Sequence, residues 1–450
     1  MSSHSRPPRK GEPGAGGASP ARRLALRVLR RVDDGAYADR ALAAEANRSE
    51  IDPRDRQQAQ RLVFGTVQMR RTLDWLIDGA TERPDRIEPA VRDVLRLGTY
   101  EIIASDGTPD RAAVDQAVYL ARTLSGSRGR SPARAGIVNA VLRRIATEGP
   151  GRLAALGADD VALRNSFPDW IAAGLTRSLG RDDAEAVMAA ANQASESAIR
   201  WNPLRGPRAQ LEDEVPTWHG DPLLPEALVL EEPFALEDSE AYASGLVMAQ
   251  SRASMIPAHA LDPQPGERIL DLCAAPGAKA TQIAALANGE AEIVAVELHD
   301  SRASALRELA ERMGATMTVI TGDGRDVDIP GGQFDAVLVD APCTGTGVLA
   351  ARPDARWRRR EEALAPLVAI QQGLLARALA LVKPGGRVVY STCSLLREEN
   401  EDVVLASGAE VEDLTDRFPG MASPDLAGAL RLLPHIHGTD GFFVARLTGR

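Results

Sequence analysis

Lysine is nearly missing from this chain of 450 residues. It occurs only at Lys10, Lys279 and Lys383, so 53 basic side chains less three leaves 50 arginines. A high-GC codon preference accounts for the ratio, and it singles out the positions that keep a compact ammonium which arginine's flat fork does not mimic. Cysteine is as scarce, with Cys273, Cys343 and Cys393. An odd and sparse set argues against a disulfide framework and for a reducing cytosol, so a cytoplasmic location is expected. No run reads as apolar for the length of a membrane span. Residues 1–20, rich in Ser, Pro, Gly and Arg, have no apolar h-region and read as a disordered basic arm rather than a signal peptide. An excess of positive charge is missing too: the net charge is −10. A nucleic-acid groove needs only a local patch, however. Candidates are Arg6 to Lys10, Arg22 to Arg31, the loop 125–134 with three arginines, and Arg352 to Arg360.

The apolar fraction of 44% and charged fraction of 26% are those of a globular protein, and the length implies two or three domains. Residues 21–148 place apolar and charged side chains at helical spacing, with breaks at Asp52-Pro53, Arg83-Pro84 and Thr108-Pro109. About five to seven helices and few strands follow, hence an all-α domain. Residues 149–240 give a weaker signal and read as a connector or small α+β subdomain. From 241 to 450 strands alternate with helices, implying a parallel sheet covered on both faces, a Rossmann-like domain. The last strand candidate, Gly441 to Leu447, is expected as an antiparallel edge.

Each cysteine follows an apolar strand. Cys273 opens the loop after Arg268–Leu272, Cys343 lies in the loop after Phe334–Asp340, and Cys393 follows Arg387–Ser391. Three strand ends on one rim of a parallel sheet are where α/β enzymes place their chemistry. The arrangement suggests a thiolate nucleophile beside a bound cofactor. Ile269 to Lys279 reads as strand, small-residue loop and helix, with Gly277 letting a ligand approach the backbone ahead of a helix N-terminus. Glu297, twenty residues on, ends the second strand where a ribose diol would donate. Asp323, after the third strand, is placed to accept from an adenine amino group. The loop lacks the second and third glycines of a dinucleotide fingerprint, so S-adenosylmethionine fits better than NAD.

The strings DLCAAPGAK (271–279), VLVDAPCTGTG (337–347), RPDARW (352–357) and YSTCSLLREENEDVV (390–404) resemble the Sun (RsmB-like) family of RNA 5-methylcytosine methyltransferases. AAVDQAV (112–118) and GIVNAVLRRI (136–145) resemble the NusB-type RNA-binding domain fused to the family's ribosomal members, and SFPDW (166–170) its linker. The resemblance implies an all-α NusB-like domain joined to a class I S-adenosylmethionine-dependent methyltransferase domain. It implies cofactor contacts from Cys273, Ala274, Ala275, Pro276, Gly277, Ala278, Lys279, Glu297, Arg302, Asp323 and Asp340. It also implies that Cys393 is the nucleophile and Cys343 assists release. Two departures stand out: Ala278 and Ala280 replace the family's usual glycine and threonine, and Ser251-Arg252 stand where an acidic pair is common.

Carbon 5 of cytosine does not take a methyl group unaided, whereas a thiolate added to carbon 6 makes carbon 5 nucleophilic. Asp340 is the candidate carboxyl beside ring nitrogen 3, and Lys279 a candidate source of the field that favours a thiolate. From the residues alone the two cysteines could exchange roles, since DNA cytosine methyltransferases use a Pro-Cys nucleophile. The target base must be unstacked, and Arg352, Arg356 and Trp357 form a basic-aromatic cluster suited to gripping phosphate and stacking a base. The expected partner is RNA, 16S ribosomal RNA or a small-subunit assembly intermediate, with no metal and no membrane. The alternatives are a tRNA cytosine-5 methyltransferase and a non-catalytic RNA-binding assembly factor.

Overall fold

The computed structural model describes residues 17–49, 51–104, 107–124, 131–157, 159–232 and 234–449. Most of the expected basic arm, together with Arg128 and Arg130, lies outside the described residues. The chain forms two compact units. The first ends at Asp169 and includes Arg352–Asp354; the second holds Trp170–Ala351 and Ala355–Arg450.

The first unit is helical. Its helices are Pro20–Asp33, Ala38–Asn47, Pro53–Gln68, Arg70–Gly79, Pro89–Ala104, Asp110–Thr123 and Ser131–Ala154, with a short turn at Val161–Arg164. Ser19 and Asp52 cap two of them, accepting from Arg22 N and Asp55 N, each followed by proline at the first helical position. Leu24, Ala25, Val28 and Leu29 bury one face of the first helix. The helix Ser131–Ala154 runs through residue 148, and the compact unit extends to Asp169. Several arginines of the basic runs are already paired. Arg22 Nε lies 3.0 Å from Glu101 Oε1, Arg27 and Arg31 share Glu45 at 3.2 and 3.1 Å, and Arg134 meets Glu88 at 2.6 Å.

The second unit contains two sheets. Strands β1 (Ala198–Trp201), β2 (Trp218–Gly220), β3 (Ala227–Leu230) and β4 (Val247–Ala249) form an antiparallel sheet in the order β2-β3-β1-β4. The segment 149–240, expected as a connector or small α+β subdomain, carries helices Asp169–Leu179 and Arg181–Ala190 and three of these strands, and from Trp170 on it belongs to the same compact unit as the larger sheet. The larger sheet uses β5 (Arg268–Asp271), β6 (Glu292–Glu297), β7 (Thr318–Thr321), β8 (Phe334–Asp340), β9 (Val382–Thr392), β10 (Val411–Glu412), β11 (Leu430–Leu432) and β12 (Phe442–Thr448). Its order is β10-β12-β9-β8-β5-β6-β7, with β11 also on β12. Strands β5 to β9 pair in parallel and β12 runs antiparallel to β9. The expected edge position of the last strand is corrected: β12 is interior, held by β9 on one side and by β10 and β11 on the other.

Alternate residues of each central strand go to opposite faces, and both faces are buried. Ile269, Ala336, Leu338 and Val389 pack with Met255, Ile256 and Ile283. Leu270, Val337, Val339 and Val388 pack on the other face with Leu374, Leu375 and Ala378. The latter three sit on the helix Leu364–Leu381. Together with the preceding turn, Glu361–Leu381 is 21 residues of hydropathy 1.5, and so reaches the length and composition of a span. The expectation that no run does so is corrected on that count. The helix's Gln371, Leu374, Leu375 and Ala378 are nevertheless buried on the sheet.

Candidate active site

Strand order reverses between β5 and β8, from which β6 and β7 run one way and β9 the other. The crevice outside the carboxyl ends of such a pair is where doubly wound sheets bind ligands. The loop after β5 enters the helix Ala278–Leu286 through Gly277, whose φ is +114°. A Cβ there would lie 2.6 Å from Leu306 Cδ1 and 2.9 Å from Leu309 Cδ2. Gly277→Ala is therefore expected to lose about 1–3 kcal/mol to backbone strain and a comparable amount to overpacking, read as a lower denaturation midpoint. The first helical bond runs from Thr281 N to Gly277 O at 2.9 Å, which leaves the N–H groups of Ala278, Lys279 and Ala280 facing the crevice end of the helix. Ala278 itself takes the first helical position, where an alanine Cβ is unstrained.

Glu297, 4% exposed at the end of β6, accepts from His299 N at 3.0 Å and lies 3.5 Å from Arg302 Nη1. Arg302 Nη2 also donates to Ala275 O at 2.8 Å, so this side chain ties the β5 loop to the β6 end. Asp323 accepts from Arg325 Nε at 2.9 Å and from its backbone N at 3.0 Å; these bonds hold its carboxyl down at about 2. Cys273 packs against the core, and burial followed by the charge of Asp271 pushes its thiol up, which removes it from thiolate chemistry. Ala274 and Ala275 are buried beside it and Pro276 is exposed. Asp271, which the sequence did not flag, is 1% exposed with Oδ2 unpartnered; burial and then the charge of Asp340 push it up to about 7.

The other two cysteines meet. Cys343 Sγ and Cys393 Sγ are 3.4 Å apart, Cys343 buried and Cys393 partly exposed. The hydrogen bond to Cys393, burial and the charges of Glu399 and Asp340 all push the Cys343 thiol up. Beside them Lys279 Nζ is 2.8 Å from Asp340 Oδ2, while Ser391 Oγ donates to Asp340 Oδ1 at 2.9 Å. The Lys279 ammonium also lies 5.1 Å from the centre of the Phe442 ring. Residues around the thiols are clamped by buried groups that no motif reading singled out. Glu399, fully buried, accepts from Thr344 N at 2.8 Å and from Gln371 Nε2 at 3.0 Å, and Gln371 Nε2 also donates to Pro342 O at 2.9 Å. The backbone joins the two loops where Gly347 N donates to Cys393 O at 2.9 Å. Gly347 packs so closely on β12's approach that a Cβ would sit 2.1 Å from Gly441 O.

The basic-aromatic cluster fares differently. Arg352 is exposed and Trp357 partly so. Arg356 is fully buried, donating to Asn192 Oδ1 at 2.8 Å and Ala191 O at 3.1 Å, and burial alone pulls its guanidinium down to about 9. It is a packing residue of the second unit and not a phosphate contact; its neighbours in a run of arginines hid the one that faces inward. Arg252, one of the departures noted above, lies 2.9 Å from Asp221 Oδ2 and also pairs with Glu196. Among the described residues no group of three His, Cys, Asp or Glu side chains could hold a metal.

Comparison with known proteins bears on the whole chain. Residues 258–448 match the family described as 16S rRNA methyltransferase RsmB/F, and residues 19–147 match the NusB family. A probable ribosomal RNA small subunit methyltransferase B of Bacillus subtilis is 33% identical over 95% of this chain and 98% of its own length. A protein of the same description from Synechocystis is 34% identical over 95% and 99%. Among solved structures, that of PH0851 is 26% identical, with a TM-score of 0.81 over 95% of this chain and 98% of its own. A helical NusB domain, a class I sheet with its crevice at the strand reversal, and this likeness over almost all of the sequence place the chain in the RsmB/F family of 16S rRNA methyltransferases.

Proposed function

We propose that the protein methylates carbon 5 of one cytosine in 16S ribosomal RNA, in the cytoplasm, through a covalent bond between Cys393 and the base. The cofactor is S-adenosylmethionine, which when bound supplies an electrophilic methyl group on its sulfonium. The loop Cys273–Lys279 suits it: small side chains, free helix N–H groups for an amino-acid carboxylate, and Glu297 for a ribose diol. The observation that carries the reading is the thiol pair at 3.4 Å beside the Lys279–Asp340 pair at 2.8 Å.

Cys343, its thiol pushed up, keeps a proton and donates it in a hydrogen bond to the Cys393 sulfur, the more exposed of the two. Cys393 as thiolate forms a bond to carbon 6, and the electrons of the 5,6 double bond move toward nitrogen 3. Lys279, aligned by Asp340, stabilises that charge. After carbon 5 has taken the methyl group, its proton passes to water and the electrons of that C–H bond restore the double bond. The C6–S bond breaks in the same step, its electrons leaving with sulfur, and the hydrogen bond from Cys343 receives the departing Cys393 thiolate.

Mapping 5-methylcytosine in RNA from a strain lacking the protein tests this. One 16S position should lose its modification and regain it when the protein is restored. Loss in tRNA alone would favour the tRNA reading, and an unchanged map would overturn the assignment of cytosine chemistry.

A further inference from the structure

Behind the cofactor loop lies an arginine that the chemistry above does not use. Arg200, on β1, is fully buried, and among the described residues no carboxylate stands within ion-pair distance of it. Its Nη1 donates to Ala278 O at 2.5 Å and to Gln250 Oε1. Its Nη2 donates to Thr281 Oγ1 at 2.9 Å, and the Thr281 hydroxyl in turn donates to Gly277 O at 2.8 Å. The carbonyls of the two residues that enter the helix are thus held from one side, Ala278 directly and Gly277 through Thr281. Gln250 is tied onward to Gln282 at 2.8 Å, and Gln282 to Glu226 at 2.8 Å.

In a trans peptide the N–H points away from the C=O. Fixing the carbonyls of Gly277 and Ala278 therefore fixes the N–H groups of Ala278 and Lys279, two of the unsatisfied donors at the crevice end of the helix. Burying a guanidinium with no carboxylate in ion-pair distance is costly, and Arg200 Nε has no partner to offset it. A charge kept under that burden, directly behind a helix N-terminus, adds to the field that favours an anion there.

We propose that Arg200 is a positioning residue for the amino-acid end of the cofactor, which makes the four-stranded sheet a working part of the cofactor site. The proposal rests on S-adenosylmethionine as the cofactor. Calorimetric titration with two ligands tests it: S-adenosylhomocysteine, which carries the amino-acid end, and 5′-methylthioadenosine, which lacks it. In Arg200→Met the Kd for S-adenosylhomocysteine should rise about tenfold or more, the equivalent of losing a charged hydrogen bond. Binding of 5′-methylthioadenosine should stay within about twofold, and Arg200→Lys should recover part of the loss. Thr281→Val, which removes the Arg200 Nη2 acceptor and the hydroxyl link to Gly277 but leaves Arg200 Nη1 on Ala278 O, should show a smaller rise with the same ligand preference, and it serves as the test should Arg200→Met fail to fold. Equal losses for both ligands, or unchanged S-adenosylhomocysteine binding in these variants, would overturn the proposal. Failure of the unaltered protein to bind S-adenosylhomocysteine would instead remove the cofactor reading, and this inference with it.

Discussion

Cys393→Ala is expected to abolish methyl transfer, by about 10,000-fold or more, the order of loss that follows removal of a covalent nucleophile. Cys343→Ala should also stop turnover, but at the other end of the cycle, leaving a protein–RNA adduct that survives denaturation. The difference follows from the two environments. Cys343 is buried, and its thiol is pushed up first by its hydrogen bond to Cys393 and then by desolvation, so it is poorly suited to attack. Cys393 is the partly exposed member, 3.4 Å from it, and in the proposed reading the one that accepts the hydrogen bond. Incubating each variant with 16S RNA and cofactor, then separating on a denaturing gel, reads the outcome directly. Adduct accumulating with Cys393→Ala and not with Cys343→Ala would exchange the two roles.

The second large effect is expected at Asp340. Asp340→Asn keeps the side chain's shape and an acceptor for Ser391 but removes the charge that aligns Lys279 at 2.8 Å. Loss of a group that steers a proton donor in the transition state lowers kcat by about 100- to 10,000-fold. Stability should move the other way. Asp271 is held up at about 7 by burial and by the like charge of Asp340, and removing that charge relieves it. A falling kcat with a maintained or raised denaturation midpoint is therefore the expected pair of results. A fall in both together would assign Asp340 to folding.

The site was legible where chemistry sits in the sequence's own strings. Cys343, Cys393, Asp340 and Lys279 each stand at the end of an apolar strand or the start of the helix after one, and the parallel sheet brings them together. The four-stranded sheet was not legible. Its strands are three or four residues long, and their pairings join Ile199 to Leu228 and to Ala249, too far apart for any local pattern to announce. Arg200 lies opposite Ala227 and Met248 in that sheet, so an arginine inside an apolar strand was its only signal. Glu399 and Gln371 were hidden for a related reason: a buried carboxylate satisfied by neutral donors looks like any surface glutamate until the fold closes over it. Arg356 shows the converse, an arginine that composition assigns to solvent and packing takes inward.

The Lys279–Asp340 pair has a practical consequence in a chain with so few amines. Only three side chains can take an amine-directed acyl label: Lys10, Lys279 and Lys383. Lys383 is about half exposed, whereas the Lys279 side chain is 11% exposed and holds Asp340. Mass-spectrometric footprinting with such a reagent would therefore leave one informative adduct, and its rate of formation would report how tightly the reaction centre is closed.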